Sequence, residues 1–111
     1  MSKRIGDAGR AAEKAFAAKL NMKLMPASGA AGSKGDMGNE KFLLEAKSTI
    51  KDKYSIAIQT LLKIHSEALM AGKLPAFAIL FTDQHGKAVR QGEWVAVPLW
   101  VWEQMELREQ A

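Results

Sequence analysis

The chain contains no cysteine, three prolines and two histidines in 111 residues. Without cysteine there is no disulfide and no thiolate metal site, which suits a reducing compartment and a cytoplasmic location. No second histidine or thiol lies at ligand spacing from His65, so metal ligation by it ranks well behind a core role. No apolar run approaches the ~20 residues that span a bilayer, and no N-terminal signal pattern is read, so no membrane partner is expected. Acidic residues are in the minority. Sixteen Lys and Arg against 12 Asp and Glu leave a net charge of +4, which suits a polyanionic partner. At 48% hydrophobic and 25% charged, residues 1–111 are expected to form one domain with a real core.

The stretch that carries chemistry is Gly35-Asp36-Met37-Gly38-Asn39-Glu40-Lys41 followed by Phe42-Leu43-Leu44-Glu45-Ala46-Lys47. Gly38-Asn39 reads as a turn that tolerates φ > 0, and the apolar run after it as a buried strand. Strand alternation puts Glu45 and Lys47 on one face and Phe42, Leu44 and Ala46 on the other. Asp36, on the partner strand, is expected to reach the same spot. The bland alternative is a salt bridge between Glu45 and Lys47 on an edge strand.

Asp7 is expected to cap a first helix that runs to Leu20 or Met22, with Gly9, Ala12, Phe16 and Leu20 on its apolar face. Glu13 falls on or beside that face, where it pairs with Arg10 or Lys14 or serves a site. Lys23 to Ala27 reads as a short strand. The eight residues Ser28 to Gly35 hold three glycines, two serines and one lysine, and read as a linker or as a loop that lets phosphate approach Ser28 and Lys34. Lys51 and Lys53 stand in a polar connection. A second helix is expected from Ser55 to Ala71, stopped by Gly72, with a buried stripe of Ile58, Leu61, Leu62, His65 and Leu69. His65 reads as a core histidine with a satisfied hydrogen bond. Ala76 to Thr82 reads as a strand covered on both faces, Asp83 to Lys87 as a turn with His85 exposed, and Glu93 to Val97 as a further strand. Pro98 is expected at the first position of a last helix, to about Glu109, whose apolar side carries positions 99, 102 and 105.

An Asp followed by Glu-x-Lys on an apolar strand resembles the PD-(D/E)XK nuclease superfamily, and within it the small Holliday junction resolvases of archaea and phages. The resemblance covers roughly residues 7–82. Gly35 stands where the superfamily's name has proline, and the hairpin between Asp36 and Glu45 is short. It implies an α/β fold of restriction-endonuclease type, a mixed central sheet flanked by helices with an αβββαβ core. It also implies that Asp36 and Glu45 bind Mg²⁺, with Mn²⁺ able to substitute, and that Glu13 completes the metal site. Lys47 would orient the attacking water, since a hard cation held by carboxylates lowers the pKa of its bound water and stabilises charge on the scissile phosphate. Ser28-Gly29 matches the Ser-Gly of the resolvases' mobile loop, Ser48 matches the residue after their lysine, and Gln59 matches a glutamine on the following helix. Ser28, Gly29, Lys34, Arg10, Lys51 and Lys53 are the expected DNA contacts. The implied activity is Mg²⁺-dependent cleavage of four-way junction DNA. A general or nicking DNA nuclease and a non-catalytic DNA-binding module of the same fold are the alternatives, and a structural or translational accessory protein is a more remote one. In a phage setting the location would be the host cytoplasm. Two symmetric nicks require two sites, so a twofold dimer is expected, with Trp94, Trp100 and Trp102 contributing to its interface.

Overall fold

A computed structural model describes residues 5–25 and 37–110 of the chain. The run Phe42–Thr49 forms a strand, β3, that pairs in parallel over its whole length with β4 (Leu74–Thr82), from Phe42 opposite Leu74 to Thr49 opposite Phe81. Parallel strands cannot be joined by a tight turn. The crossover is α2 (Ile58–Met70), which ends at Ala71 with Gly72 in the left-handed region at φ 70°. Ahead of β3 lie α1 (Ile5–Lys19), β1 (Lys23–Leu24) and β2 (Met37–Gly38), and after β4 come β5 (Ala88–Ala96) and α3 (Leu99–Gln110). The five strands form one mixed sheet in the order β1-β2-β3-β4-β5, antiparallel everywhere except β3 with β4. The fold is α/β, and the expected αβββαβ order is the order found.

Adjacent β3 residues enter two different cores. Leu44 and Ala46 pack with Ala12, Phe16 and Ala17 of α1 and with Ala76, Ala78 and Leu80 of β4. Leu43 packs with Ile64 and Ala68 of α2. One helix therefore covers each face, and a fully buried Leu43, Leu44 or Phe77 contributes roughly 1.5–3 kcal/mol.

Several boundaries differ from expectation, each for a local reason. Asp7 lies inside the first turn of α1 rather than capping it. β1 is two residues long rather than five. Gly38 belongs to β2 and pairs with Leu43. The turn is closed instead by Asn39, whose Oδ1 accepts the backbone N–H groups of Lys41 at 2.9 Å and Phe42 at 2.7 Å, so no positive φ is needed. α2 begins three residues after Ser55, from an extended Ala57 that lacks a side-chain cap. Its buried residues are Ile64 and Ala68, while Ile58, Leu62 and Leu69 are exposed. The helix is apolar around much of its circumference, and the small Ala68 selects the arc that approaches the sheet. His65 is half-buried and accepts the indole N–H of Trp100 at Nε2, 3.2 Å away. Pro98 precedes α3 and its carbonyl accepts the N–H of Trp102, so it is the N-cap rather than the first helical residue. Val101 is the buried residue of α3, and Leu99, Trp102 and Met105 are exposed.

The β4–β5 hairpin ties the sheet to the first half of α1. Asp83 Oδ1 accepts the N–H of Lys87 at 3.0 Å and of His85 at 2.8 Å, which holds this exposed carboxyl below the ordinary carboxylate value. Gly86 sits there at φ 86° against the backbone of α1, and a Cβ added to it would lie 2.3 Å from the Ala8 carbonyl oxygen. Gly72 shares the positive φ, yet a Cβ there would meet nothing within 4 Å. Gly86→Ala is therefore expected to destabilise the fold by about 2 kcal/mol or more, and Gly72→Ala by about 1 kcal/mol, the backbone term alone. Urea unfolding of both variants checks this. Equal losses would mean that the hairpin does not press on α1.

Candidate metal and nucleic-acid site

β3 carries Glu45 and Lys47 out along the face that α2 covers. Leu43 packs under α2, and alternation sends Glu45, Lys47 and Thr49 to the same side. α2 runs back against the strands, so its first turn lies over the row where Glu45 stands beside Phe77 and Phe77 beside Ala96. The ring of Tyr54, in the connection before α2, lies 6.3 Å from that of Phe77. Glu45 is consequently buried at 8% exposure, whereas Lys47, one row further along, is exposed. A carboxylate is rarely buried unless it is paired, hydrogen-bonded or holds a metal. This one stands midway along the parallel strand pair, with the exposed Lys47 two residues nearer the carboxyl end, the end at which α/β sheets bind ligands.

The sheet separates Glu13 from this face. It is half-buried on α1, which packs on the side of Leu44 and Ala46. Gly9, one turn earlier, lies over Ser48, whose Oγ is 3.1 Å from where a glycine Cβ would stand. α1 thus reaches the end of β3 from the opposite side, bringing Glu13 and half-buried Ser48 to that side and exposed Arg10 with them. Lys51 and Lys53 are exposed in the connection after β3, where the Lys51 N–H donates to Thr49 Oγ1 at 3.1 Å. Gln59 is exposed in the first turn of α2. Asp36, Ser28, Gly29 and Lys34 lie outside the described residues. Among the described residues no three His, Cys, Asp or Glu side chains converge as a metal site. A carboxylate is a hard oxygen donor, and no histidine or cysteine stands on β3.

Three residues join this end of the sheet that the sequence did not mark for it. Trp94 pairs with Ile79, which pairs with Lys47, so the three form one row across the sheet. Tyr54 covers the neighbouring row. Arg90 and Lys51 line a cleft of about 370 Å³ together with Phe81 and Gln91. Strand alternation alone could not have found the Trp94 row, because the β4–β5 register shifts between Leu80 and Thr82. Among the described residues no helix is long and apolar enough to cross a membrane. The chain matches no family model, no curated protein and no solved structure.

Proposed function

We propose that the chain is a Mg²⁺-dependent DNA endonuclease acting on branched DNA, with four-way junctions as its substrate. The observation that carries this reading is the pairing of a buried carboxylate, Glu45, with an exposed lysine, Lys47, on one face of β3 where the sheet opens beyond α2. In this reading Glu45 and Asp36 hold the metal, which supplies an activated water and charge stabilisation at the phosphate. Lys47 orients that water and offsets the clustered negative charge. Lys51, Lys53 and Arg10 hold flanking phosphates, with Lys34 and the Ser28-Gly29 loop. Glu13 supports the site from the α1 side, with Ser48 and Gln59 as accessory groups. The placement of Glu13 across the strand from Glu45 favours, as a second reading, a DNA-binding module of this fold without cleavage. A nicking nuclease without junction preference stands between the two.

Glu45→Gln and Lys47→Ala are expected to lower Mg²⁺-dependent cleavage of a junction by orders of magnitude while the thermal transition stays cooperative. Ca²⁺ is expected to support binding without turnover. Cleavage in the absence of divalent metal, or near-normal rates in Glu45→Gln, would overturn the enzymatic reading and leave the binding module.

The same reading calls for two sites per junction, and the surface supports a second copy. The first turn of α3, Leu99-Trp100-Val101-Trp102, is apolar on every side, yet Leu99 and Trp102 are exposed, as are Met105 and Leu107 further along. The outward stripe of Ile58, Leu62 and Leu69 on α2 is exposed beside it. A groove of about 220 Å³, lined by Ile58, Leu62, His65, Val97 and Pro98, joins the two. Trp100 is turned inward onto His65, and Trp94 lies on the sheet away from α3, so the patch narrows to Trp102 and its neighbours. Light scattering at micromolar concentration is expected to give a dimer that Trp102→Glu/Leu99→Glu converts to a folded monomer. A wild-type monomer, with and without junction DNA, would contradict the two-site arrangement.

A further inference from the structure

The open half of the α2-side face holds more than the two residues of the proposed site. The row Lys47–Ile79–Trp94 crosses three strands, and two strand spacings place Trp94 about 10 Å from Lys47. Trp94 is 61% exposed although it stands mid-strand, and it shares no face with the salt-bridged Glu93, which reaches Lys19 of α1 on the other side of the sheet. Its indole is not loose. Nε1 donates to the Gln91 carbonyl at 2.8 Å, and Gln91 is held at φ 55°, a left-handed conformation uncommon for a residue with a side chain. Gly92 follows at a point where a Cβ would lie 2.6 Å from the Phe81 carbonyl oxygen. The bend therefore has a built geometry, with a glycine at the close approach and an indole fastened to the strained residue.

Beside this ring lies the cleft between the ends of β3 and β4 and the first half of β5. Its cations are Lys51 and Arg90, its apolar walls are Ile50, Phe81 and Val89, and Asp52 is the carboxylate at its rim. None of the ion pairs among the described residues engages Lys51 or Arg90. An exposed, oriented aromatic ring next to free cations is the combination that binds single-stranded nucleic acid, since every base has a face to stack and every nucleotide a phosphate to neutralise.

Resting on the nuclease reading, we propose that Trp94 is a stacking platform for an unpaired DNA base close to the phosphate that would lie between Lys47 and a metal on Glu45. Lys51 and Arg90 hold the adjoining phosphate of that strand. The platform makes the substrate class specific: it favours DNA with unpaired or unstacked bases at a branch over continuous duplex, whose bases are closed to a ring on a sheet. The restraint from Gln91 lets the ring bind with little ordering to do.

The test compares binding of a splayed duplex with single-stranded arms and of a linear duplex of equal length, in Ca²⁺ to prevent turnover, by fluorescence anisotropy. Trp94→Ala is expected to weaken binding to the splayed substrate roughly tenfold and to leave the linear duplex within about twofold, while Trp94→Phe retains most of the affinity. Arg90→Ala is expected to weaken both and to lower the slope of log affinity against log salt by about one phosphate. Thermal melting of each variant accompanies the measurement, and Trp94→Phe keeps the test open if the alanine variant melts early. No change on the splayed substrate, or equal losses on both, would overturn the platform while leaving the nuclease reading in place. Wild-type protein that binds neither duplex would overturn the platform, and wild-type protein that also fails to bind a four-way junction would overturn the nuclease reading with it.

Discussion

The parallel pairing of β3 with β4 is the constraint on which the rest of the molecule depends. Eight consecutive residues of β3 are matched to β4 without a shift, and a parallel pair must be joined by a crossover and covered on both faces. The crossover helix takes one face and α1 takes the other, so every β3 residue is assigned a side by its parity. Leu44 and Ala46 meet Phe16 of α1, and Leu43 meets Ala68 of α2. Glu45 therefore lands under cover and Lys47 beyond it, because the covering helix begins over the Phe77 row. Sliding β3 by one residue would exchange the two sets, placing Leu44 under α2 and Glu45 against α1.

A buried carboxylate in such a strand runs against folding stability, because its charged form gives up water. The sequence spends an apolar position on it in the middle of Leu43, Leu44 and Ala46, three residues that are themselves almost fully buried. Such local departures from a consistent core pattern concentrate at functional sites. Around it the surface changes character within one strand row: covered by α2 and Tyr54 at Glu45, open and cationic at Lys47, aromatic at Trp94. In the proposed reading, a phosphodiester enters along that gradient beside the carboxylate.

Much of this was legible in the residues. The alternation Phe42-Leu43-Leu44-Glu45-Ala46-Lys47 assigns the faces correctly, and the order of elements follows from the apolar runs and from Gly72 and Pro98 as stops. What could not be read lies where two apolar arcs compete or where geometry is set across the chain. α2 offers both an Ile58, Leu62, Leu69 stripe and an Ile64, Ala68 stripe, and the closeness of approach to the sheet, not hydropathy, chooses between them. α3 has no polar side near its start, so Val101, which is buried, has no signature there. The turn at Asn39 uses a side-chain oxygen where a positive φ was equally consistent with Gly38-Asn39. Trp94 takes its side from a register shift near Gln91 and Gly92, and no periodicity in the strand reveals it. The position of Glu13 on the α1 side follows from which face α1 covers, a choice that its own amphipathic pattern leaves open.

The central claim is that Glu45 is a metal ligand, and the most direct measurement is the broadening of backbone amide resonances by sub-stoichiometric Mn²⁺. The expected result is selective loss of signals from residues 44–48 at the lowest Mn²⁺ additions, reversed by excess Mg²⁺ and absent in Glu45→Gln. Broadening centred instead on exposed carboxylates such as Glu103 and Glu106 of α3, with the β3 amides untouched, would contradict it.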